Sequence, residues 1–135
     1  MDQRAQISIE YILLVSIILL IIIVFALVIT DQSEQNNVAT AVQLGASNAT
    51  ANITLTNTSQ SPVQVTEVTM SNGTTNQSVT INMTVHFSRS VTTQQATILS
   101  SIKTSLQSSG YNNSVISGGS LLLTTSKHIY NITLG

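Results

Sequence analysis

The sequence has no cysteine, no tryptophan and a single proline, Pro62, and of its 135 residues only nine are ionised at neutral pH, four Lys or Arg against five Asp or Glu. Each shortage excludes something. Without cysteine there are no disulfides, thiolate nucleophiles or zinc–thiolate centres. The charged fraction is 7% against about 25% in ordinary soluble domains, and no basic stripe exists to displace counterions from phosphates, so nucleic acid is not a partner. Five aromatics, Tyr11, Phe25, Phe87, Tyr111 and Tyr130, leave any folded part with a small aliphatic core.

Acids and bases for catalysis are equally scarce. Beyond Gln35 the titratable candidates are Glu67, Arg89, Lys103, Lys127, His86 and His128, while Asp2 and Asp31 both flank an apolar run. A hydroxyl-nucleophile triad would have to recruit Glu67 and one histidine, with no nucleophile-elbow sequence nearby. A metal site on His86 and His128 lacks neighbouring carboxylates and any recognisable ligand spacing. The histidines read instead as exposed strand residues. No catalytic residue, metal ligand or cofactor is expected, and the chain does not read as an enzyme.

Polarity comes instead from hydroxyls and amides, with 19 Ser and 19 Thr. They are unevenly spread. Residues 11–30 carry no charge, and between Ile12 and Ile29 the only polar side chain is Ser16. As a helix this run measures about 30 Å, the thickness of a bilayer's hydrocarbon core. Its β-branched content would favour a strand in water, but in lipid an unpaired strand leaves its backbone unsatisfied, so a membrane-spanning helix is expected. Arg4 on one flank, against Asp31 and Glu34 on the other, places the N-terminus in the cytoplasm and residues 31–135 outside. The run is longer than the apolar region of a secretory signal peptide, and no small-x-small cleavage site follows it.

The helix is expected to continue to about residue 50, since the first glycine is Gly45, with Val38, Ala41, Val42, Gly45 and Ala46 as a small-residue stripe that needs a partner. From Ala51 the period changes to two. Ile53 and Leu55, then Val63 and Val65, read as strand; the phase slips across Thr66 and Glu67, which predicts a bulge before Val68 and Met70. Asn72-Gly73 predicts a hairpin turn, followed by a strand with Val79, Ile81, Met83, Val85 and Phe87 on its dry face. Residues 91–107 return to helical spacing through Val91, Gln95, Ile98, Leu99, Ile102 and Leu106. Their N-terminus is marked by a Thr92/Gln95 capping box or by Ser90, and their C-terminus by Gly110. Gly118-Gly119 breaks the chain before two last strands, residues 121–125 and 129–134. The reading is α+β: a long N-terminal hydrophobic helix, then a β-rich head over 51–135 with an antiparallel sheet and one packed helix.

Immediately before the apolar run stand Gln6, Ser8, Glu10, Tyr11 and Leu14. This segment resembles the class III signal peptide of archaeal type IV pilins, Q-x-S-x-E-x-x-x-L with an aromatic after the acid. The resemblance covers the N-terminal quarter of the chain. It implies cleavage by prepilin peptidase between Ala5 and Gln6, releasing residues 1–5 as a leader and leaving residues 6–50 as the pilin helix. Ala5 stands where Gly is common, and the leader holds one base, Arg4, beside Asp2. In such pilins the acid is thought to pair with the new α-amine of a neighbouring subunit; Glu10 holds that place here. An out-of-step subunit would bury two unpaired charges, which makes Glu10 a register device. The resemblance further implies a helical homopolymer, an assembly ATPase and a membrane platform, with the precursor in the cell membrane and the product an extracellular filament, an adhesion pilus or an archaellin-type filament. The alternative is a single-pass surface glycoprotein that does not polymerise.

Eight of the eleven asparagines begin an Asn-x-Ser/Thr sequon: Asn48, Asn52, Asn57, Asn72, Asn76, Asn82, Asn112 and Asn131. With Ser and Thr at about a third of the chain after the apolar run, chance gives about four. All eight lie beyond that run, on the side where a glycosyl transferase would act; Asn52 and Asn82 are expected on polar strand faces, and Asn131 alternates with Tyr130 and Ile132.

Overall fold

The computed structural model of the chain describes residues 3–59, 61–73 and 80–135. In chain order its elements are helix α1 (Gln3–Thr56), strands β1 (Val65–Asn72) and β2 (Thr80–Phe87), helix α2 (Gln95–Ser108), and strands β3 (Ser114–Ser117), β4 (Ser120–Thr124) and β5 (Ile129–Leu134). The fold is α+β, with the long apolar N-terminal helix expected. Two compact units divide between Gln35 and Asn36, not near residue 50, so the second part of α1 belongs to the head.

Within the head unit that part of α1 buries Val38, Ala41, Val42, Gly45, Ala46, Ala49, Thr50 and Ile53, which continues the predicted stripe. Its partner is α2, which buries Ile98, Leu99, Ile102 and Leu106. The two backbones meet at Gly45, where a Cβ would stand 2.6 Å from the Ile102 Cα, so no side chain fits. Ser101 Oγ donates to the Gly45 carbonyl at 2.8 Å and Ser105 Oγ to the Ala41 carbonyl at 2.7 Å. Small side chains permit the approach and hydroxyls fasten it.

The strand expected at Ile53 and Leu55 is instead the last turn and a half of α1. In a strand both residues would share a face; here Ile53 is buried and Leu55 is 76% exposed. Thr54 and Thr56 direct their hydroxyls to the carbonyls of Thr50 and Asn52, four residues back, as helical Thr does. Alternation of Thr with aliphatics matches either period over so short a stretch, and burial against the head selects the helix.

The sheet order is β1-β2-β5-β4-β3, antiparallel except for the parallel pair β2–β5. The expected antiparallel sheet is therefore mixed. After β2 the chain leaves through α2 and the β3–β4 hairpin, and a crossover containing a helix permits parallel return. The inward faces carry Ile81, Met83, Val85, Leu121, Leu123, Tyr130 and Ile132, all essentially inaccessible. The bulge predicted beside Thr66 is present, since Val65 pairs with Phe87 and Glu67 with His86. Asn72-Gly73, by contrast, is not the hairpin turn: Asn72 pairs with Ile81 and Gly73 N–H donates to the Thr80 carbonyl, so the strand pairing runs past both. Residues 74–79, including Val79, lie outside the described ones.

Helix α2 starts at Gln95, later than the periodicity predicts, and the residue before it, Gln94, makes no side-chain cap. Neither Ser90 nor a Thr92/Gln95 box caps it; the Gln95 amide donates to the Gly119 carbonyl instead, at 2.8 Å. Its C-terminus follows expectation. Gly110, at φ +94°, donates to Gln107, and Tyr111 N–H donates to Leu106, the paired bonds of a Schellman motif. Gly118 and Gly119, at φ +58° and +88°, form the two-residue turn between β3 and β4. Strand β3 is an element that the sequence pattern does not predict.

At about 1.5–3 kcal/mol per buried side chain, Val38, Val42 and Ile53 together contribute about 5–9 kcal/mol, as much as the whole stability of many small domains. A fragment of residues 36–135 is therefore expected to unfold cooperatively in urea, followed by circular dichroism, whereas a fragment of residues 57–135 is expected to show no transition. A cooperative transition in the shorter fragment would make the helical segment dispensable.

Candidate functional site in the apolar helix

In the N-terminal unit every residue from Gln3 to Thr30 is exposed. The large aliphatic and aromatic side chains between Ile12 and Ile29 present 41 to 63% of their surface. A helix apolar on every face has no side suited to water. Its peptide groups satisfy one another, as a hydrocarbon environment requires. The hydroxyls do the same: Ser16 Oγ donates to the Ile12 carbonyl at 2.8 Å and Thr30 Oγ1 to the Ala26 carbonyl at 2.6 Å. By length and composition this is the one membrane-spanning candidate among the described residues.

The motif residues Gln6, Ser8, Glu10, Tyr11 and Leu14 all lie on α1 and are exposed. Gln6, Glu10 and Leu14 follow at four-residue steps and so share a face. Glu10 borders a shallow apolar depression lined by Ile9, Leu13, Leu14, Ile17 and Ile18. A carboxylate is thereby set against the start of the apolar surface. The Ala5–Gln6 peptide lies in the first turn of α1, whose N–H groups have no intrahelical acceptors and which frays most easily.

In the head, Glu67 and His86 are cross-strand partners on β1 and β2, and Thr69 Oγ1 lies 3.3 Å from His86 Nε2. This brings a hydroxyl, an imidazole and a carboxylate to one face, but no bond joins Glu67 to the ring among the described residues, and Thr69 Oγ1 also points at the Thr84 carbonyl at 3.4 Å. His128 is not an exposed strand residue as expected: it is 8% exposed, in the turn before β5, with its ring 5.9 Å from that of Tyr130. The hydroxyl of Thr125 organises that turn, accepting from His128 N–H and donating to the His128 carbonyl, both at 3.0 Å. No group of three or more metal-ligating side chains occurs among the described residues.

Of the sequon asparagines, Asn48, Asn52, Asn57, Asn72, Asn82 and Asn112 are exposed and Asn131 is half-buried; Asn76 lies outside the described residues. Asn82 is on the polar face of β2 as expected. Asn52 is not on a strand but on α1, for the reason given above for Ile53. Asn82 and Asn131 are direct partners across β2 and β5, a juxtaposition created by the parallel pairing and invisible in local spacing. The back-bonding of Ser16 and Thr30, by contrast, could have been read from the helical spacing itself. No family model matches the chain, and no match is found among curated proteins or solved structures.

Ile21 lies near the middle of the apolar run. Ile21→Arg places a charge at the helix centre, at a cost of about 2.5–3.5 kcal/mol, and is expected to lower the ratio of inserted to uninserted chain about 100-fold in a membrane-insertion assay. An unchanged ratio would show that this segment does not sit in lipid.

Proposed function

We propose that the chain is the structural subunit of an archaeal type IV-like surface filament. It waits in the membrane as a precursor, is cut between Ala5 and Gln6 by prepilin peptidase, and is polymerised through its hydrophobic N-terminal helix, with surface adhesion as its use. The observation that carries the reading is the adjacency of Gln6, Ser8, Glu10, Tyr11 and Leu14 to a helix apolar on all faces. An ordinary anchor needs the second and has no use for the first.

The same surface suits both stages. In the membrane, acyl chains cover residues 11–30; in the filament, the helices of neighbouring copies do. Transfer exchanges one apolar surround for another, so the hydrophobic term nearly cancels and packing with charge pairing must set direction and register. Cleavage would create an α-ammonium four residues before Glu10, of opposite sign. A motor ATPase and a membrane platform, as in the family resembled, would supply the work. An archaellin-type filament would share every one of these steps.

Two measurements test this. Mass spectrometry of surface filaments should find the chain beginning at Gln6, and filaments carrying intact residues 1–5 would refute the cleavage. Electron microscopy of cells producing Glu10→Ala should show few or no filaments while the protein remains in the membrane fraction; normal filament numbers would favour a non-polymerising anchor.

A further inference from the structure

The filament reading makes no use of the sequons. A sequon is an acceptor when it can be offered as surface loop, because a transferase must reach both the asparagine amide and the hydroxyl two residues on. The folded head treats its six fully described sequons very differently.

Asn48 and Asn52 are exposed on α1, but their hydroxyl partners are not on offer. Thr50 is 4% exposed on the core face and donates to the Ser47 carbonyl at 2.9 Å; Thr54 donates to the Thr50 carbonyl at 2.8 Å. Presenting either sequon means unwinding the turns that bury Ala49 and Ile53. Asn82 and Asn131 oppose each other on adjoining strands, about 4.8 Å apart in a sheet, so a sugar on one stands over the other. Their hydroxyl partners, Thr84 and Thr133, are hydrogen-bonded to each other at 3.3 Å. Asn112 is exposed, but Ser114 begins β3 with its Oγ buried.

Asn57 differs from all of these. Asn57, Thr58 and Ser59 are each exposed and follow the end of α1 as a turn. The hydrogen bond that holds Asn57 is its N–H to the Ile53 carbonyl, at 3.0 Å, the last rung of a helix end. Helix ends open at far lower cost than buried turns or central strands.

We propose that, of the six fully described sequons, Asn57 is the one at which the folded head accepts N-linked carbohydrate, and that the other five accept it only on chain that has not yet folded. The proposal rests on the extracytoplasmic placement of the head but on neither cleavage nor polymerisation, so its failure would leave the filament reading standing.

The test uses unmodified full-length protein, folded in detergent, with a purified oligosaccharyl transferase and its lipid-linked oligosaccharide. Peptide mass spectrometry should find Asn57 occupied about tenfold or more above each of Asn48, Asn52, Asn82, Asn112 and Asn131, reflecting the difference in local opening. In Asn57→Gln the summed occupancy of the other five should stay at its low level. Synthetic peptides spanning Asn48, Asn57 and Asn82 should be modified at similar rates, which assigns the selectivity to the fold. Equal occupancy across the folded head, no modification at Asn57 while its peptide is modified, or peptides that already differ about tenfold would each overturn the proposal.

Discussion

A helix that is apolar on every side must be surrounded by something apolar, and residues 11–30 impose that demand on everything else in the chain. Peptide groups in this run satisfy one another, and the aliphatic hydroxyls of Ser16 and Thr30 donate to carbonyls one turn back. Between Ile12 and Ile29 nothing polar remains to direct the surface toward water. What the run lacks is any preference among apolar surrounds: lipid, or copies of itself, serve the backbone equally well. That indifference would let one segment serve both as an anchor and as an assembly element.

The same helix changes its rules beyond residue 35. From Asn36 onward one face is buried within the head and the other carries Asn, Gln, Ser and Thr. The contrast lies in side-chain size. The buried face holds Ala41, Gly45, Ala46 and Ala49, and Gly45 lets α2 approach until a single Cβ would collide with its backbone. Residues 11–30 have only Ser16, Ala26 and Thr30 as small side chains, and the single small-xxx-small pair they make, Ala26 with Thr30, stands at the very end of the run. The head segment is therefore shaped for one partner at close range, and residues 17–25, which hold no small side chain, are not.

Much of this was legible in the sequence, and the failures have physical causes. The apolar run, the stripe from Val38 to Ala46, the bulge at Thr66, the alternation of β2 and the glycine stop at Gly110 each declare themselves through local spacing or a required backbone angle. Ala51–Thr56 misled because Thr alternating with Ile and Leu is compatible with both periods, and only packing against the head chooses. Asn72-Gly73 has the composition of a tight turn, yet the strand pairing runs past it. The parallel β2–β5 pair joins residues about 50 positions apart, and no local pattern encodes that. The motif around Glu10 was visible throughout as chemistry without geometry; its placement on an exposed helical face adds position but no partner.

Register is the remaining problem for a surface of this kind. If copies of the chain pack through Ile, Leu and Val alone, a subunit shifted by one turn meets almost the same side chains, and dispersion distinguishes the two arrangements weakly. A wrong register is excluded only by a group that is costly when misplaced. Glu10, beside the depression formed by Ile9, Leu13, Leu14, Ile17 and Ile18, is the carboxylate at the N-terminal edge of that surface, and Asp31 stands at the other. Buried unpaired, it would cost several kcal/mol; opposite a cation in a dry environment, that penalty is largely offset. A long uniform surface charged only at its rims would thus separate two requirements that a more patterned helix would have to reconcile. In such a packing hydrocarbon side chains would supply cohesion, and a charged group at the rim would decide which of the many similar arrangements is allowed.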